Sequence, residues 1–189
     1  TYAVVGKPVT REDGPEKVSG QTCYSGDLIL PRMLWGRVLR SPLPHARIVH
    51  IDTSGASKLP GVHAVLTGRD LAGMLVGRTL RDTPLLAQEK VRFVGEKVAA
   101  VAADDVDTAE EALTRIEVEY DELLAIFDPV QAMHPEAPVV HDGSPIYEGP
   151  AGPVQPRGNI SHHQTWSGGD VEQGFHESDL IFEHTFTTP

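Results

Sequence analysis

Residues 97 to 121 read KVAAVAADDVDTAEEALTRIEVEYD, and three textures follow one another within them. Lys97 to Ala103 is a run of small apolar residues, the texture of a strand buried on both faces. Asp104-Asp105 then opens a helix through Arg115, where acidic residues suit the positive end of the helix dipole. Ala109, Ala112 and Leu113 supply the i, i+3, i+4 stripe with which such a helix packs on a sheet. From Ile116 the period changes to two: Ile116, Val118 and Tyr120 alternate with Glu117, Glu119 and Asp121, giving one buried and one wet face. Strand, helix, strand in this order predicts a β-α-β unit with its strands parallel through a right-handed crossover. The expected class is therefore α/β, in the mixed α+β sense.

The flanks extend this reading. Residues 1–33 are polar, rich in Gly and Pro and without clear period, and read as an extended arm. Leu34 to Arg40 is a strand, Pro42 and Pro44 break it, and Ala46 to Asp52 resumes. A turn or short helix is expected at Thr53 to Leu59, capped by Thr53 or Ser54 and ended by Pro60-Gly61. Val62 to Leu66 is a strand with Val62, Ala64 and Leu66 on one face, followed by a capped turn at Thr67 to Leu71. Residues 73–88 read as a loop. Val91-Arg92-Phe93 is short and extended, and Gly95 marks a bend or bulge. Asp128-Pro129 caps a short helix to Met133, with proline at its favoured first position.

Prolines and glycines then dominate from His134 to Gly158, the composition of a linker. Order returns at Asn159 to Trp166, with a capped helical turn at Gly169 to Phe175. A strand follows at Asp179 to Thr187, where Leu180, Phe182, His184 and Phe186 share a face. The organisation expected is a domain at 1–133, a linker at 134–158 and the start of another region at 159–189.

Composition excludes several classes. The net charge is −11 and the pI about 5.2, so the chain repels a phosphate backbone and anionic membranes. No run of eighteen or more apolar residues exists, so no hydrophobic span is expected. The single cysteine, Cys23, permits no internal disulfide, which fits a reducing compartment. An iron–sulfur cluster needs about four thiolates, so it cannot be held by this chain alone.

Catalytic motifs are missing from the sequence: there is no dinucleotide fingerprint, Walker-type loop, His-Glu-x-x-His or serine-hydrolase elbow. Nine histidines invite a metal reading. His162-His163 on a strand would point to opposite faces, and His176-Glu177 lacks a second ligand at helical spacing. His45 sits in a Pro-flanked turn, where its ring can hydrogen-bond a backbone carbonyl. The run Asp104, Asp105, Asp107, Glu110, Glu111 is explained by helix-terminal charge and solvation. Arg40, Arg47, Arg92 and Lys97 lie near strand ends, where anions could be contacted, but solvent and salt-bridge roles are favoured. Gly95 allows a close approach of a neighbour to the backbone, or simply a bulge. No catalytic, cofactor-binding or metal-ligating residue is assigned.

Ordered tripeptides carry a resemblance. Gly6-Lys7-Pro8, Asp13-Gly14-x-x-Lys17-Val18-Ser19-Gly20 with Tyr24 and Asp27, and Leu39-Arg40-Ser41-Pro42 with His45-Ala46 come first. Ile51-Asp52-Thr53-Ser54, Pro60-Gly61-Val62 and Val65-Leu66-Thr67-Gly68-x-Asp70 follow. Then come Val91 to Val101, Glu119-Tyr120-Asp121-Glu122-Leu123, Asp128-Pro129, Gly169-Asp170-Val171 and Phe186-Thr187-Thr188-Pro189. Together they resemble the opening of the large subunit of molybdenum hydroxylases, the family of xanthine dehydrogenase, aldehyde oxidase and hydroxybenzoyl-CoA reductase. Carbon monoxide dehydrogenase is the less similar branch. The resemblance implies the α/β hammerhead domain, with 159–189 beginning the molybdopterin-binding region. It further implies a structural segment of a cytoplasmic oxidoreductase acting on aldehydes, N-heteroaromatics or aromatic CoA thioesters. Molybdopterin would sit in the remainder of the large subunit, and 2Fe-2S and FAD on partner subunits or domains. The alternative is a free-standing, non-catalytic interaction module. Glu96-Lys97 departs from the family pattern, in which an amide or acid precedes Pro, and is expected to affect the local turn only.

Overall fold

The computed structural model describes residues 3–77, 82–141, 147–149, 152–154, 158–160, 163 and 166–186. The chain forms two compact units, one from residues 1–75 and 84–125, the other from 76–83 and 126–189. In the first unit the helices are α1 (Gly14–Ser19), α2 (Ser54–Ser57) and α3 (Val106–Thr114). Its strands are β1 (Trp35–Arg40), β2 (Ala46–Asp52), β3 (Val62–Thr67), β6 (Lys90–Val91), β7 (Lys97–Ala103) and β8 (Glu117–Glu122); two short pieces, β4 (Leu75–Val76) and β5 (Thr83–Pro84), precede β6.

Two three-stranded sheets organise this unit, ordered β1-β7-β3 and β6-β2-β8. The succession β7, α3, β8 is present as expected, but β7 and β8 do not pair. Both edges of β7 are taken, by β1 and β3, and β8 pairs instead with β2. Each of these ladders is antiparallel. The parallel crossover is thus corrected to a step between sheets. The small-residue texture of β7 suits its central place, since Val98, Ala99, Val101 and Ala103 are all buried.

Asp105 caps α3, its carboxylate accepting from the Thr108 amide at 2.7 Å and the Thr108 hydroxyl at 2.9 Å. Ala109 and Ala112 face inward, and Ala112 joins Ala56, Ala99, Val101 and Ile116 in one core cluster. A second cluster gathers Ala46, Ala87, Val91 and Val98, with Ile48, Ile51, Val118 and Tyr120 against it. Val118 and Tyr120 therefore face inward, as their alternation predicts, while Glu117, Glu119 and Asp121 are exposed. The largest fully buried side chains are valines, so the interior is narrow.

Bulges alter two faces. In β3 the register skips at His63, so Val65, rather than Ala64 and Leu66, shares the core face with Val62. In β2 the skip at Val49 turns both Ile48 and Ile51 inward, three residues apart. One extra residue reverses every side chain beyond it, which strict alternation cannot foresee.

The amino-terminal arm is not wholly extended. Pro15 in its first turn and Gly20 beyond its end, at φ 73°, delimit α1. A 3-10 turn at Ser25–Asp27 is closed by the Tyr24 amide donating to Asp27 at 3.0 Å. At α2 the helical start is held by Asp52, whose carboxylate accepts from the Ser54 amide at 2.8 Å, and not by a Thr53 or Ser54 side chain.

The second unit contains α4 (Pro129–Ala132), β9 (Tyr147–Gly149), β10 (Gly152–Val154) and α5 (Val171–Glu177). Asp128 and Asp170 cap the two helices as expected. β9 and β10 form an antiparallel ribbon within the Pro/Gly-rich stretch. Asn159 accepts from the Val140 amide at 2.8 Å and donates to the Ala132 and Pro138 carbonyls at 3.0 Å each. No strand forms over 179–186, although the rings of Phe182, His184 and Phe186 line up with centroids 6.5 and 6.2 Å apart, as period-two backbone requires. Among the described residues no helix is long and apolar enough to cross a membrane.

Candidate functional site

The polar cluster that stands out is buried where the turn 41–45 meets the loop 92–96. Ser41, His45 and Glu96 are the buried polar residues of the described chain. Two prolines set the turn, and Ser41 secures it by donating from its hydroxyl to the Leu43 carbonyl and accepting from the Leu43 amide, both at 3.0 Å. Reciprocal backbone bonds join turn and loop: the Ser41 amide donates to the Glu96 carbonyl, and the Gly95 amide to the Ser41 carbonyl, each at 2.8 Å. Arg40 adds a third tie, donating from Nη1 to the Gly95 carbonyl at 2.8 Å.

Inside this clasp the Glu96 side chain accepts from the Arg92 amide at 2.5 Å, and the Arg92 guanidinium lies 3.9 Å away. Burial pushes the Glu96 carboxyl above the usual carboxylate range, and the Arg92 amide and charge, with His45, pull against it. His45 Nδ1 lies 2.8 Å from the Leu124 carbonyl oxygen, the kind of bond expected for it. A carbonyl only accepts, so Nδ1 carries the proton. His45 Nε2 and Arg92 Nε are buried without a hydrogen-bond partner among the described residues. Burial also pushes the Tyr120 phenol up, against a hydrogen bond with Ser41.

Gly95 adopts φ 89°, and a Cβ there would meet nothing within 4 Å, so its role is the left-handed bend alone. The close approach is at Gly68, where a Cβ would stand 2.1 Å from the Ala87 carbonyl oxygen. Sequence reasoning missed this, and it also missed the burial of Glu96.

The other candidates are dispersed. Arg47 is exposed in β2 opposite Asp121 and Lys90. Lys97 stands opposite Arg40, and its carbonyl accepts from the Ala87 amide at 2.7 Å. The acidic run is occupied: Asp104 meets His63 at 2.7 Å, Glu110 meets Arg37 at 3.1 Å, and Glu111 pairs with Arg115. Cys23 is exposed, its thiol 3.8 Å from the Tyr24 carbonyl. His176 lies on the exposed α5 and His163 is exposed; His162 and Thr187-Thr188-Pro189 lie outside the described residues. Among the described residues no three His, Cys, Asp or Glu side chains gather to hold a metal ion. With one cysteine and no such group, these residues do not fit a metal centre, and no catalytic step is assigned to them.

Comparison with known proteins gives a consistent result. The family described as the a/b hammerhead domain of aldehyde oxidase and xanthine dehydrogenase matches residues 19–124. A probable xanthine dehydrogenase subunit of Bacillus subtilis (strain 168) is 42% identical over 188 residues, covering 98% of this chain and 23% of its own length. The nicotinate dehydrogenase large molybdopterin subunit of Eubacterium barkeri is 36% identical, over 99% of this chain and 41% of its own. The carbon monoxide dehydrogenase large chain of Hydrogenophaga pseudoflava is 38% identical over 157 residues, covering 81% of this chain and 19% of its own length, against 42% for the xanthine dehydrogenase subunit. A solved Cu,Mo-CO dehydrogenase superposes with a TM-score of 0.77 at 36% identity, covering 93% of this chain and 23% of that one. The chain thus spans well under half the length of these relatives.

Proposed function

Because this chain belongs to the aldehyde oxidase and xanthine dehydrogenase hammerhead family, we propose that it is the amino-terminal structural segment of a molybdopterin-dependent oxidoreductase. The observation that carries the reading is the match of almost the whole chain to about a quarter of a molybdenum CO dehydrogenase chain at a TM-score of 0.77. In this reading residues 1–133 are the hammerhead part, 134–158 a linker and 159–189 the start of the molybdopterin-binding region. The remainder of the large subunit holds the molybdenum cofactor, which supplies the two-electron oxidation or reduction. Partner subunits or domains carry 2Fe-2S and FAD. Aldehydes, N-heteroaromatics or aromatic CoA thioesters are the substrates, and the compartment is the cytoplasm.

What this chain's own residues contribute is shape and cover. Leu124 and Phe127 are 72% and 81% exposed, and Ile29 of the arm is 77% exposed. Apolar side chains displayed in this way suit burial by neighbouring protein. The test is metal analysis and turnover of the 189-residue chain alone and of the same chain joined to a large-subunit remainder. Molybdenum and oxidation of a heteroaromatic or aldehyde are expected only in the joined form. Stoichiometric molybdenum in the isolated chain would overturn the reading. A joined form that never loads would favour the interaction module instead.

A further inference from the structure

We propose that Glu96, buried beside His45 and bonded to Arg92, is a proton-operated latch on the loop 92–95: uptake of a proton releases the Arg92 guanidinium and alters how Phe93 and Val94 are presented. The loop is built for this. Its base is pinned to Ser41 by two backbone bonds and to Arg40 by a third, so it does not open as a whole. Its tip carries two apolar residues outward, Phe93 at 52% and Val94 at 62% exposed, on the bend that Gly95 makes. Between base and tip sits one interior carboxyl, 4% exposed.

The charged and titratable neighbours are few. Arg92 approaches Glu96 from its own loop and His45 from the turn. Arg40 comes from β1 to the Gly95 carbonyl, and Tyr120 of β8 bonds to Ser41 of the turn. Ionised, Glu96 accepts the Arg92 amide bond and attracts the Arg92 guanidinium from 3.9 Å. When it takes a proton from solvent, one oxygen becomes a hydroxyl and the other still accepts the amide bond. Only the charge that attracts the guanidinium is lost. Arg92 then keeps its 3.4 Å contact with the Lys90 carbonyl and has no anion inside the clasp. His45 faces the carboxyl from the turn, its Nδ1 proton committed to the Leu124 carbonyl, and its electrostatic influence opposes the rise that burial imposes on Glu96.

Linkage gives the sign. The folded carboxyl is raised above its ordinary value of 4.5, so the stability it contributes is full below that value and is lost as pH rises through the folded value. Glu96→Gln is neutral throughout. It should therefore gain stability relative to the native chain near neutrality, and the difference should close in acid.

The experiment is an NMR titration of the 189-residue chain, following the Glu96 side-chain carboxyl carbon, the Arg92 Nε–H and the amides of Phe93, Val94 and Gly95. All should move with one midpoint above 4.5, and the loop signals should stop titrating in Glu96→Gln. His45→Asn keeps a donor for the Leu124 carbonyl but removes the imidazole that opposes the rise in Glu96, so it should shift the Glu96 midpoint upward. A Glu96 midpoint at or below 4.5, or loop signals that titrate unchanged in Glu96→Gln, would overturn the proposal. The native titration decides even if a variant fails to fold. No cofactor or partner is involved, so this test stands apart from that of the proposed function.

Discussion

Gly68→Ala should cost this fold far more than Gly36→Ala, although each change adds a single methyl group. A Cβ on Gly68 would lie 2.1 Å from the Ala87 carbonyl oxygen, 2.7 Å from its carbon and 2.8 Å from the Gln88 Cα. Comfortable contact is about 3.5 Å or more, so one wall must retreat by roughly 1.4 Å. Neither wall is free to do so. Ala87 is buried and donates from its amide to the Lys97 carbonyl of β7 at 2.7 Å. The turn carrying Gly68 is tied by Asp70, which accepts from the Thr67 amide at 2.7 Å and hydroxyl at 2.9 Å. Overpacking usually costs about 1–3 kcal/mol, and a clash of backbone with backbone belongs at the upper end. About 3 kcal/mol corresponds to a fall in Tm of roughly 6–12 °C for a chain of this size. Gly36→Ala is the control. A Cβ there meets nothing within 4 Å, and a strand-interior glycine loses roughly 0.5–1 kcal/mol to alanine, so the change should be neutral or slightly stabilising. Urea and thermal denaturation of both variants decide the matter. If Gly68→Ala melted within about 0.5 kcal/mol of Gly36→Ala, the 66–70 and 86–88 segments would not approach as closely as the structure places them.

Val118→Asp should destabilise by several kcal/mol, because Val118 packs against both core clusters and an aspartate there has no partner, whereas Glu119→Gln on the wet face should stay within about 0.5 kcal/mol. Equal melting temperatures would mean that β8 is turned the other way. Asp105→Ala should lower the melting temperature at neutral pH. The Thr108 amide and hydroxyl hold the Asp105 carboxyl below its ordinary 3.8, so its contribution is present above that value and is lost as pH falls through the lower folded one. Melting curves of the native chain and Asp105→Ala should therefore converge in strong acid, and a gap independent of pH would rule out the capping charge as its source.

Which elements form was legible because local signals and tertiary context agree. Asp128 read as a cap and acts as one, and the helix starts read at Asp104-Asp105 and Gly169-Asp170 are capped by Asp105 and Asp170, since a carboxylate beside unpaired amides needs no help from distant residues. Alternation placed Val118 and Tyr120 correctly for the same reason. Pairing was less legible. A strand, a helix of suitable length and another strand are compatible with a parallel crossover. They are equally compatible with a step between two antiparallel sheets, and only the distant strands β1, β3 and β2 decide between them by occupying the edges of β7 and β8. The arm shows the opposite failure, for the Pro15 and Gly20 signals that delimit α1 were local and available.

The site was the least legible part. Gly68 and Gly95 look alike in sequence, each a glycine in a turn beside a strand. One is required by the path of residues 86–88, and the other by a backbone angle of 89°. Glu96 looks like an ordinary surface charge at the start of a strand. Its burial follows from the turn at Ser41 folding over it, from a segment about fifty residues earlier. An acid in that position is tolerable only because the Arg92 amide and guanidinium lie four residues before it and within its reach. The arrangement therefore demands two coincidences, a loop short enough to return Arg92 to its own carboxylate and a turn close enough to exclude water from both. That double requirement makes the charge state of a single buried group a lever on the loop that carries Phe93 and Val94.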